Sequence, residues 1–130
     1  MDSPLIVLYR AYLECLNSQA WEELSRYIDT HIAYNGEVIG LDAYRQARKD
    51  EFRSIPDLYF NVKLLVANEK VVACRLDFTI SPMGDFLGLP VNGQSISFSE
   101  NVFYEYEAGK IVRVWSLLDR AAIERQVSRP

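Results

Sequence analysis

The sequence predicts an α+β domain, a curved antiparallel sheet packed with N-terminal helices into a cone with an internal pocket. Three observations carry this. Apolar residues recur at helical spacing before Pro56, and long runs alternate apolar with polar after it. Helices first and antiparallel strands after is the α+β order. Between the strand pairs lies a glycine- and proline-dense loop, Gly84-Asp85-Phe86-Leu87-Gly88-Leu89-Pro90-Val91-Asn92-Gly93, of the kind that bends a sheet and walls a cavity.

Ser3-Pro4 suits a helix start, because serine caps and proline at the first helical position loses no hydrogen bond. Leu5, Leu8, Tyr12, Cys15 and Leu16 continue that helix on one face. Asn17-Ser18 breaks it and caps a second helix over residues 19–28, with Trp21, Leu24 and Ile28 on one side. Residues 31–34 form a short strand that turns at Asn35-Gly36. Gly40 precedes a third helix over 41–52, whose polar face holds Arg45, Arg48, Lys49 and Glu51. Four strands follow, at 58–67, 71–80, 94–106 and 111–118, with turns at Asn68-Glu69 and Ala108-Gly109. Residues 121–127 close the chain as a helical turn.

At 130 residues the chain is expected to be one domain spanning 1–130 with a core of its own. A net charge of −4 and no basic stripe argue against a nucleic-acid partner. No apolar run reaches membrane-spanning length and no signal peptide opens the chain, so a cytoplasmic protein is expected. Cys15 and Cys74 lie far apart in apolar stretches and read as buried reduced thiols. With a single histidine, His31, at no ligand spacing from either cysteine, no metal site is expected.

The turn Glu107-Ala108-Gly109 has glycine where a three-residue hairpin needs positive φ. That turn pairs Tyr106 with Lys110, Tyr104 with Val112, Val102 with Val114 and Glu100 with Ser116, all on one face. Asn101, Phe103, Arg113 and Trp115 take the other face. A two-residue turn would instead slip the register. Apart from Lys110 at the turn, Glu100 is the only formal charge on the first face. Either it is a partly desolvated acid whose pKa rises into the range of a general acid or base, or it is a solvated or ion-paired residue near a strand end.

The chain resembles the SnoaL-like polyketide cyclases, within the nuclear transport factor 2-like (cystatin-like) fold. The resemblance runs from about Leu8 to Gln126. It rests on Ile55-Pro56-Asp57-Leu58, on Arg75 nine residues before Gly84, and on Gly84-x-Phe86-Leu87-Gly88-Leu89-Pro90-x-x-Gly93. Gly93-x-x-Ile96-x-Phe98, Gly109-Lys110-Ile111-Val112, Trp115 and Asp119 complete it. It implies acid–base chemistry without metal or organic cofactor: a carbon acid is deprotonated and an intramolecular aldol step closes a ring. It also implies a homodimer. The family's usual catalytic aspartate falls at Ser116 here, a histidine of its cyclases at Val102, another histidine at Pro82, and an asparagine or histidine at Tyr34, with Asn35 beside it.

Serine cannot abstract a proton as aspartate does, so the replacement carboxylates are Glu100 and Asp119, the latter alternatively a cap for the last helix. Tyr34, Asn35 and Ser116 are the candidates for orienting a carbonyl, and Tyr34, Val102, Tyr104 and Phe86 for the wall of a site for an apolar small molecule. Met83 and Phe86 either close the pocket mouth or bury against a second subunit, and Arg75 and Asp77 suit an ion pair or an interface patch. Three functions fit: a cofactor-independent cyclase or isomerase, a ligand-binding domain without catalysis, and an interaction module acting through the outer sheet face.

Overall fold

The computed structural model describes residues 3–127. Helix α1, Pro4–Asn17, begins at the expected cap, with Ser3 Oγ accepting from the Ile6 N–H at 3.3 Å. Tyr9, Tyr12, Leu13, Cys15 and Leu16 form its buried face. The second predicted helix is shorter, a 3₁₀ segment over Trp21–Arg26. It ends early because the chain is drawn into the sheet, where the Ile111 N–H donates to the Tyr27 carbonyl at 2.8 Å. Strand β1 is Ile28–Tyr34, and Asn35-Gly36 turns it into the two-residue β2, Glu37–Val38. Helix α2, Leu41–Ser54, follows.

The long strands are β3 (Asn61–Ala67), β4 (Val71–Ile80), β7 (Ile96–Glu107) and β8 (Lys110–Leu118). Between them Asp85–Phe86 and Leu89–Pro90 pair as a small separate hairpin, β5–β6. Helix α3 is Arg120–Val127. The main sheet runs β2-β1-β8-β7-β4-β3. It is not wholly antiparallel as expected, because β1 lies parallel to β8. That edge is reached by crossing over the whole molecule, a long-range pairing that no local turn signal announces. Register shifts interrupt the β1–β8, β3–β4 and β7–β8 pairings, irregularities of the kind that bend and twist strands.

Alternation sorts the two faces. Inward from β4 and β7 point Val72, Cys74, Leu76, Phe78 and Ile80, and Ile96, Phe98, Val102, Tyr104 and Tyr106, which join the α1 residues and Tyr44 in one core. Tyr12 Oη and Tyr44 Oη are hydrogen-bonded at 2.5 Å, tying α1 to α2 beneath the sheet. Both cysteines are buried free thiols. On the outer face two cross-strand rows run side by side: Leu64, Arg75, Asn101, Leu117, and Val66, Ala73, Phe103, Trp115. Leu64, Val66, Phe103, Trp115 and Leu117 are all exposed there. No helix among the described residues is long and apolar enough to cross a membrane.

Candidate active site

The β7–β8 hairpin positions the central carboxylate by a route the sequence reading got wrong in detail. The turn has two residues, not three: Glu107 pairs with Lys110, and Ala108 and Gly109 both take positive φ (50° and 78°), the mirror-image turn that matches strand twist. A bulge then adds one residue to β8, so that Glu105 pairs with Arg113 and Tyr106 with Ile111. The two departures sum to a register two residues from that expected. Glu100 therefore lies opposite Leu118, and Ser116 opposite Val102. Because the side-chain period is two, every β7 residue and the β8 residues beyond the bulge keep their expected face, whereas Lys110 and Ile111 before it exchange theirs: Ile111 is buried opposite Tyr106 and Lys110 is exposed opposite Glu107. Glu100 and Ser116 become diagonal neighbours, and Ser116 Oγ donates a short hydrogen bond to Glu100 Oε2.

Both residues open into a cavity of about 260 Å³ between the sheet, α2 and the β5–β6 hairpin. Its apolar lining comes from Ile55, Leu58, Phe60, Phe78, Ile80, Phe98 and Leu118. Rings follow one another along this wall, with centroids 5.5 Å apart for Phe60–Phe78, 5.3 Å for Phe78–Phe98 and 5.8 Å for Phe86–Phe98. The polar lining is Tyr34, Asn35, Glu51, Glu100 and Ser116. The β5–β6 hairpin contributes Phe86 and Leu87 as a roof, and α3 holds it through the Arg120 guanidinium, which donates to the Leu87 carbonyl at 3.1 Å. Of the two loop residues weighed for the mouth, Phe86 faces the cavity and Met83 is exposed.

Burial pushes the Glu100 carboxyl above the usual glutamate range, against the hydrogen bond from Ser116 and the nearby Arg48 cation. Burial likewise raises the Tyr34 phenol, opposed by its hydrogen bond with Ser116, so Tyr34 stays a protonated donor at neutral pH. Asn35 serves the frame more than the cavity. Its Oδ1 accepts from the Ser116 N–H at 2.8 Å and its Nδ2 donates to the Ser116 carbonyl at 3.3 Å. This side chain continues the parallel β1–β8 ladder past the end of β1 and fixes Ser116. Asn35 also holds a φ of 49°, which asparagine tolerates better than alanine. We expect Asn35→Ala to lower stability by about 1–2 kcal/mol in urea unfolding with m unchanged.

The structure thus brings together Tyr34, Asn35, Phe86, Glu100 and Ser116 and leaves three candidates elsewhere. Val102 and Tyr104 point inward from β7 but sit deeper, where the Tyr104 ring packs on Tyr9 (4.7 Å) and Tyr12 (5.9 Å). Asp119 lies outside the cavity and caps α3, its Oδ1 accepting from the Ala122 N–H at 3.1 Å. His31 is an exposed strand residue away from the cavity.

Two charged residues escaped the sequence reading. Arg48 and Glu51 were placed on the polar face of α2 with Arg45 and Lys49, yet they turn inward as an ion pair, with Nε–Oε1 2.6 Å and Nη2–Oε2 3.1 Å. The Arg48 side chain is only 14% exposed, and its guanidinium lies 4.8 Å from the Tyr44 ring centroid and 5.8 Å from that of Tyr34. The signal was present in the spacing. Tyr44, Arg48, Glu51 and Ile55 stand four, three and four residues apart, on one helical face whose ends are apolar.

This scaffold has known counterparts. The family model for SnoaL-like polyketide cyclases matches residues 6–127. The chain belongs to the SnoaL-like polyketide cyclase family. A SnoaL-like polyketide cyclase of Agrobacterium tumefaciens is 44% identical, with a TM-score of 0.95 over 98% of this chain and 100% of that one. IdmH of Streptomyces antibioticus, a candidate polyketide cyclase, is 17% identical with a TM-score of 0.83 over 98% and 100%. AclR of Streptomyces galilaeus, a candidate hydroxylase, is 19% identical with a TM-score of 0.78 over 97% of each chain. At these lower identities the likeness is one of fold. No curated protein sequence matches the chain. Ser116, the position that the sequence resemblance aligns with a catalytic aspartate, is hydrogen-bonded to a carboxylate from the neighbouring strand.

Proposed function

We propose that this protein is a cofactor-independent cyclase or isomerase that moves a proton next to a carbonyl group in a small, largely apolar and flat molecule. The observation that carries this reading is the Glu100 carboxylate, opening into an apolar cavity and held there by Ser116. Glu100 takes the proton from the carbon beside the carbonyl, and the electron pair moves onto the carbonyl oxygen to give an enolate. Tyr34 donates a hydrogen bond to that oxygen. In an isomerase the proton returns at another carbon. In a cyclase the enolate carbon attacks a second carbonyl of the same molecule, and the resulting alkoxide takes up a proton. The Phe60–Phe78–Phe98 wall suits a planar ring system, and the volume suits a ligand at or below drug size. Asp119, engaged as a helix cap, has no part in this scheme, and Val102 and Tyr104 act as packing behind the site.

The test is exchange of α-hydrogens for deuterium in a set of aryl ketones and β-keto esters, followed by proton NMR in heavy water. Saturable exchange that Leu118→Trp abolishes by filling the cavity supports the proposal. Saturable binding of these compounds without exchange overturns it in favour of a binding domain.

The exposed apolar rows of the outer sheet face support a homodimer formed through that face. Sedimentation at micromolar concentration is expected to give a dimer, and Trp115→Glu with Leu117→Glu a monomer. A monomeric wild type would rule this interface out.

A further inference from the structure

We propose that the Arg48–Glu51 pair is a positioning unit that sets the charge state of Glu100: Glu51 occupies the guanidinium fork, so that Glu100 faces a largely neutralised pair instead of a free cation. This deepens the proton-transfer reading above and rests on it for its use, though not for its test. The geometry is explicit. Glu51 accepts one hydrogen bond from the Arg48 fork, Nη2 to Oε2 at 3.1 Å, with Nε and Oε1 in charge contact at 2.6 Å but not hydrogen-bonded, and it lines the same cavity as Glu100. The Arg48 guanidinium lies over Tyr44 and Tyr34, the latter a cavity-lining residue, so its charge is held on the cavity side of α2.

The groups that act on Glu100, or feel its charge, come from every element around it: Ser116 from β8, Tyr34 from β1, Arg48 and Glu51 from α2, Cys74 from β4 and Tyr104 from β7 itself. Among these Arg48 is the cation and Glu51 the second carboxylate. A bare arginine acting on this partly buried carboxyl would hold it as a carboxylate, a weaker base for collecting a proton from carbon. Without any cation nearby, burial would push the carboxyl higher still, so that less of it is ionised. The pair sits between these limits, and its two members pull Glu100 in opposite directions.

The test needs no substrate. Protein carrying glutamate labelled with carbon-13 at the side-chain carboxyl is titrated by NMR, and the Glu100 signal is identified by its loss in Glu100→Gln. Glu51→Gln frees the guanidinium, and the Glu100 midpoint is expected to fall by about one pH unit. Arg48→Met removes the cation, and the midpoint is expected to rise by a similar amount. Loosening of the fold would move the midpoint the same way in both variants, toward that of a solvated glutamate, so opposite movements are the signature. An unchanged midpoint in either folded variant, or movement in one common direction, overturns the proposal. Failure of the enzyme reading would show separately, as α-hydrogen exchange unaffected by Glu100→Gln, with these midpoints still moving as described.

Discussion

Replacing Glu100 with glutamine is expected to slow α-hydrogen exchange by roughly 10²- to 10⁴-fold, the range that a positioned acid–base group supplies. Glutamine keeps the shape and still accepts the Ser116 hydrogen bond, so ligand affinity by calorimetry should change little. The same substitution should make the protein more stable at neutral pH. Burial raises the Glu100 carboxyl above its unfolded value. A group shifted this way supports the folded state only below the unfolded glutamate value of about 4.3, and its contribution is lost as pH rises through the folded value. At neutral pH an ionised Glu100 therefore opposes folding. Glu100→Gln should gain about 0.5–2 kcal/mol in urea unfolding at neutral pH, with the gain shrinking toward zero below pH ~4. Activity lost and stability gained together are what a functional group held at an energetic disadvantage would give. Stability lost along with activity would instead identify Glu100 as part of the structural frame.

The second large effect concerns Arg48. Arg48→Met keeps most of the stem's volume but leaves Glu51 without its cation and removes the charge over Tyr44 and Tyr34. Breaking a fully buried pair costs about 3–5 kcal/mol. Glu51 keeps 40% of its side chain exposed, and solvent screening trims the figure to about 2–3 kcal/mol. Its pH dependence follows from the sign. Burial already raises the Glu51 carboxyl against the pull of Arg48, and without Arg48 it rises further. The part of the loss that comes from the unpaired Glu51 should be full at neutral pH and fade as pH falls below the unfolded glutamate value of about 4.3, leaving the pH-independent loss of the contacts with Tyr44 and Tyr34. In a double-mutant cycle, Arg48→Met with Glu51→Gln should cost less than the two single changes added, because no uncompensated charge remains. Strict additivity would mean that the pair is not coupled.

Much of this architecture was legible because it is local. Ser3-Pro4 named the first helix start, and the alternation of residues 71–80 marked β4 with its bounds intact. The face of each β7 residue followed from parity alone, and so survived a mistaken turn. What escaped was non-local or weakly signalled. Alanine is an uncommon residue at a positive φ, so Ala108-Gly109 did not announce a two-residue turn, and the β8 bulge has no glycine to mark it. The parallel pairing of β1 with β8 joins segments about eighty residues apart. For the site, Glu100, Ser116 and Tyr34 were found through face and position. Arg48 and Glu51 were missed because charged residues on a helix are ordinarily read as solvent-facing. Their inward placement depends on each neutralising the other, a property of the pair that neither shows alone. Asn35 lay next to the right position, yet its amide bonds the backbone of a strand reached only through tertiary pairing.

The most direct test of Glu100 as the proton carrier is the pH dependence of kcat/KM for α-hydrogen exchange by the wild-type protein. The expected profile rises with pH through one limb whose midpoint lies above the ordinary glutamate value of about 4.3, and the limb vanishes in Glu100→Gln. A midpoint at the ordinary value, or a limb that persists in Glu100→Gln, would contradict it and assign the proton transfer to another group.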